Sequence, residues 1–76
     1  MNNYLVQPQD LSELLSRYAQ VTVSANSTHL AMLAAFKYIG QQEHINWVNV
    51  KVDEIEAITA AGEKFKLTHD AIKQIP

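Results

Sequence analysis

A chain of 76 residues is expected to form a single small domain with a thin core, because folding at this length removes only about 60% of the surface the unfolded chain exposes. Hydrophobic residues make up 47% of it and charged residues 18%, against roughly 25% charged in an ordinary soluble domain. The formal net charge of −2 excludes a polycation, and the lack of cysteine excludes a disulfide framework and a thiolate zinc site.

Tyr4, Leu5 and Val6 read as a short edge strand before Pro8. Asp10 and Glu13 stand at the N-cap and N3 positions of a capping box with Asp in place of Ser or Thr. Leu11, Leu14, Leu15 and Tyr18 then follow the i, i+3, i+4, i+7 spacing of one buried stripe, which predicts a helix over 11–19. The β-branched run Val21-Thr22-Val23 predicts a strand over 21–25. A second helix is predicted over 29–39, apolar on nearly every side, with Gly40 as the left-handed residue that ends it.

From 45 to 52 the chain alternates, with Val48, Val50 and Val52 on one face and Ile45, Trp47, Asn49 and Lys51 on the other. Two readings compete for the next stretch. In one, 54–60 and 63–67 form a hairpin turning near Ala61-Gly62; in the other, Asp53 caps a short helix that Gly62 ends. The hairpin is preferred, because Lys64-Phe65-Lys66-Leu67 needs a strand partner. Thr68 is read as the cap of a last helix carrying Ile72 and Ile75. The order α-β-α-β-β-α implies an α+β fold: a small mixed sheet of three to four strands, packed mainly on one face by three helices. A parallel crossover would link 21–25 to 45–52.

Function is less legible. Ser27, Thr28 and His29 at a helix start offer hydroxyls and backbone N–H groups to an anion. No glycine and no lysine completes a phosphate loop there, so ordinary capping is the preferred reading. Asp53, Glu54 and Glu56 lack the spacing of a calcium loop. His29, His44 and His69 lie on three separate elements, and no helical pair of zinc ligands occurs among them. No catalytic, cofactor or metal site is therefore assigned.

If the valines face the helices, Ile45, Trp47, Asn49 and Lys51 face outward, and Phe65 joins them if its strand pairs in that register. An exposed patch centred on a tryptophan is a typical interface. The expectation is a small non-enzymatic regulatory or interaction domain that pairs with a second copy, with a further protein partner open to it. The alternative is a nucleic-acid-binding regulator using a face of Trp47, Lys51, Lys64, Phe65 and Lys66, where aromatic rings stack bases and lysines meet phosphates. The net charge of −2 argues against it. The longest apolar run, 30–36, falls far short of the roughly 20 residues that span a bilayer. The first residues lack the charge and apolar run of a secretory leader, so a cytoplasmic location without membrane contact is expected.

Overall fold

Residues Asn2–Val6 form a full strand, β1, because Tyr4 and Val6 point to one face and are both buried. In the computed structural model, which covers residues 1–76, β1 is the centre of a three-stranded antiparallel sheet. Strand β2 (Val21–Ala25) flanks it on one side and the C-terminal strand (Ile72–Ile75) on the other. A second antiparallel sheet is a meander of β3 (Ile45–Val50), β4 (Glu54–Thr59) and β5 (Lys64–Thr68). The C-terminal strand is therefore β6. A 3-10 turn, His69–Ala71, carries β5 into β6.

The two sheets meet through the chain that leaves β1. Gln7 N–H donates to the Ala71 carbonyl at 3.0 Å, and Gln9 and Lys66 exchange backbone bonds of 2.7 and 2.8 Å. Residues 2–9 thus pair first with β6 and then with β5. Helix α1 (Thr28–Gln42) lies over β1, β2 and the β5–β6 path. It turns Ala31, Met32, Ala35 and Ile39 inward, each fully buried. Two alanines on that face let the helix approach the sheet closely. One apolar cluster results, joining these residues to Tyr4, Val6, Leu15, Tyr18 and Val21, and to Ile55, Phe65, Leu67 and Ile72.

This overturns the expected architecture. Six strands replace three or four, every pairing is antiparallel, and only one α-helix is present. The expected helix over 11–19 is a six-residue 3-10 segment, Glu13–Tyr18. Asp10 sits at φ 51 in the left-handed region, whereas an N-cap needs an extended backbone. Ser12 takes the N-cap position instead, and its hydroxyl accepts from Lys64 N–H at 2.8 Å, which ties the segment to β5. In a 3-10 helix only residues three apart align, so Leu15 and Tyr18 are buried while Leu14 stays 72% exposed.

The expected last helix is the 3-10 turn followed by β6, since Ile72 pairs with Val6 and closes the open side of β1. No parallel crossover forms, because β2 and β3 belong to different sheets. Helix α1 also runs through Gly40 rather than ending there. Its end is set by Glu43, which turns extended, donates its N–H to the Ile39 carbonyl at 2.8 Å, and gives its carboxylate to Arg17 and Tyr18. The preference for the hairpin over 54–67 holds. Gly62 at φ 86 supplies the positive dihedral of its turn, and the buried Thr59 hydroxyl accepts from Glu63 N–H at 3.1 Å.

Candidate functional site

Two rows of side chains cross the inner face of the second sheet. In one, Phe65 on β5 stands opposite Ala57 on β4, which stands opposite Val48 on β3. In the other, Leu67 lies opposite Ile55 and then Val50. Along the first row exposure runs 2%, 1% and 42%; along the second it runs 0%, 0% and 58%. The core is sealed over β5 and β4 and opens at β3.

The cause is where α1 lies. His29, Leu33, Phe36 and Gly40 share one helix face by their spacing. On it the Phe36 ring packs 6.3 Å from Phe65, and the His29 ring 5.6 Å from His69. The helix therefore meets the second sheet at β5 and the turn after it, and on β3 only Ile45, beside Gly40, is packed against the core. Val48 and Val50 face the same way as the core but are left 42% and 58% exposed. Val52, in the turn to β4, is 86% exposed, and Trp47, on the opposite face, is 49% exposed.

Strand β3 also has an open backbone edge, since β4 is its only neighbour in the sheet. Lys51 N–H donates to the Glu54 carbonyl at 2.8 Å. Antiparallel ladders alternate bonded and non-bonded pairs. With Val50 opposite Ile55 and Asn49 opposite Glu56, Asn49 and Trp47 bond to β4, and the amides and carbonyls of Val48 and Val50 point outward. Four exposed apolar side chains and an unpaired strand edge thus coincide on one eight-residue stretch, 45–52.

The expected patch is only partly assembled. Trp47, Asn49 and Lys51 do share the outer side, where Trp47 lies opposite Ile58 and Asn49 opposite Glu56. Ile45 does not join them. A register shift between Ile45 and Trp47 sets Ile45 opposite the buried Thr59, on the core side. Phe65 is also on the core side, 2% exposed. The valines, read from the sequence as covered, are the residues that pattern alone misplaced.

The basic residues on the outer face are mostly engaged. Lys66 pairs with Glu54 at 3.2 Å, and Lys51 lies 3.6 Å from Glu54 and 3.7 Å from Glu56. Lys66 holds the Glu54 carboxyl below its ordinary pKa, with Lys51 adding to the effect, and Glu54 raises Lys66 in return. Lys64 alone among these lysines makes no ion pair. With Asp10, Trp47, Glu56 and Ile58, Lys64 and Lys66 line an open hollow of about 260 Å³, under the roughly 300–1,000 Å³ of small-molecule sites.

At the start of α1, Ser27 caps the helix, its hydroxyl accepting from Leu30 N–H at 3.2 Å. Thr28 is the first helical residue, and the His29 ring meets His69 nearly edge-on, at 78°. Two of the three histidines therefore converge. His44 is placed elsewhere, its carbonyl accepting from Ala60 N–H at 2.7 Å. No group of three or more His, Asp or Glu side chains stands together to hold a metal ion. No helix is long and apolar enough to cross a membrane.

Comparison with protein-family models, curated proteins and solved structures finds no match. Any functional reading rests on the open edge of β3 itself.

Proposed function

We propose that this chain is a small interaction domain that works by protein–protein contact, without catalysis, through β3 and its flanking turn. The observation that carries this reading is the pair of inner-face rows that are sealed at β5 and open at β3. Two core-facing valines, one at the open end of each row and left at 42% and 58% exposure, contribute little to the stability of the isolated chain. Exposed edge strands are usually blunted by charge, proline or a covering element. Here no charged side chain occurs from Ile45 to Val50. A partner strand would complete the hydrogen bonding and cover the valines together, the mode of recognition known as strand addition. The cysteine-free composition suits a reducing, cytoplasmic setting.

Nucleic acid is the weaker reading. Trp47, Lys51, Lys64 and Lys66 do share the outer face, but Phe65 is in the core and two of the three lysines are neutralised by Glu54 and Glu56. That leaves one tryptophan and one free cation, short of a stacking platform in a basic groove.

Urea unfolding of the dilute protein tests the interaction reading without reference to any partner. Val50→Lys is expected to change the unfolding free energy by no more than about 0.5 kcal/mol, as for other surface substitutions. A loss of about 2 kcal/mol or more would make Val50 a core residue and remove the reading.

A further inference from the structure

Resting on that reading, we infer that the partner at β3 is a second copy of this chain, added edge to edge and antiparallel. The two meanders would then form one continuous six-stranded sheet about a two-fold axis. Such an axis makes the interface self-complementary: the same patch must suit itself. Strand β3 meets that demand in its charge. From Ile45 to Val50 its side chains are Ile, Asn, Trp, Val, Asn and Val, so no antiparallel register within the strand opposes like charges. The first charge beyond it, Lys51, is already satisfied by Glu54 and Glu56 of its own chain. A highly charged partner would find no counter-charge on the strip. A second copy meets an uncharged one.

The backbone agrees. The outward groups of Val48 and Val50 alternate at the spacing an antiparallel ladder requires. A two-fold axis normal to the sheet keeps each face matched, so Val48 and Val50 of both copies lie on the same side. They extend the two inner rows across the junction, and Trp47 of each copy lies on the other face.

Of the first sheet's two edges, β6 carries the exposed Lys73, and β2 does not offer this either. Its inward residues Val21 and Ala25 are already buried by α1, and its outward residues are Thr22 and Ser24. It serves as the internal control.

Sedimentation equilibrium of the full chain should give twice the chain mass of 8.6 kDa at high concentration. Val50→Lys should return it to the monomer mass, and Thr22→Lys on β2 should leave the dimer intact. Since the chain has no cysteine, single cysteines placed in turn at Trp47, Val48, Asn49 and Val50 each supply one thiol. Under mild oxidation, one or two adjacent positions should form the intermolecular disulfide faster than Lys37→Cys on the exposed helix surface. A chain that stays monomeric at high concentration overturns the second copy as partner. The urea result for Val50→Lys then decides separately whether β3 remains a docking strip. A dimer that Val50→Lys dissociates, but in which no β3 cysteine cross-links, overturns the edge pairing and leaves the strip as an interface of another geometry.

Discussion

Two of the outer strands, β2 and β3, carry similar sequence patterns and meet different fates. Both alternate apolar with polar or mixed residues, and both turn valines toward the core side. On β2, α1 lies directly above, so Val21 is 7% exposed and Ala25 4%. The same helix meets the second sheet only at β5 and the turn after it, so on β3 Val48 and Val50 stay open at 42% and 58%. Alternation records which face of a strand is apolar. Whether that face is covered depends on where one helix falls in space, and a partner can be needed to finish what the chain begins.

The same substitution at both edges is the sharpest way to break this contrast. Val21→Lys buries an unpaired charge beneath α1 and is expected to cost about 3 kcal/mol or more. The matching change at Val50 should cost little, and equal losses in urea unfolding would erase the distinction between the strands. Within the second sheet, Phe65→Ala at the sealed end of its row should lose roughly 3–5 kcal/mol. In dilute protein Trp47→Ser on the outer face of β3 should stay within about 1 kcal/mol. A reversed order would place the core on the wrong side of the sheet.

Smaller effects test the polar supports. Tyr18 is 3% exposed, and its hydroxyl donates to Glu43 at 2.9 Å where α1 ends. Burial raises its pKa, which keeps the donor protonated. Tyr18→Phe should therefore cost about 1 kcal/mol, the net value of one such bond, read by thermal unfolding.

The pH dependence of the outer face follows from Glu54 and Lys66. The Glu54 pKa is depressed by Lys66, so its contribution to stability is present above the ordinary carboxylate range and lost as pH falls through the depressed value. Lys66 is raised by Glu54, so its contribution is lost only as pH rises through a value above the ordinary lysine one. Glu54→Gln should flatten the acid limb of a stability–pH profile slightly. An unchanged limb would show the pair to be a surface contact of no consequence.

Much of this fold is legible in the residues. The strand at 21–25, the strand from Ile45 as far as Val50, the helix after Ser27 and the hairpin turning at Gly62 follow from pattern and turn chemistry. The first segment fails because Asp10 adopts a left-handed backbone and Ser12 spends its hydroxyl on Lys64, long-range events that no local spacing announces. The last segment fails because Ile72 answers the need of β1, some 66 positions earlier, for a second neighbour. At the candidate site the alternation of β3 locates Trp47, Asn49 and Lys51 correctly. The register shift at Ile45 and the path of α1, both tertiary facts, decide that the open apolar residues are Val48, Val50 and Val52 instead of Ile45 and Phe65.

The central claim is that the outward backbone of β3 is paired when the protein associates. Amide hydrogen exchange at high protein concentration reads it residue by residue. The account predicts that Val48 and Val50 become protected to the level of Trp47 and Asn49, and lose that protection on dilution or in Val50→Lys. Fast exchange at Val48 and Val50 at every concentration, beside slow exchange at Trp47 and Asn49, would contradict it.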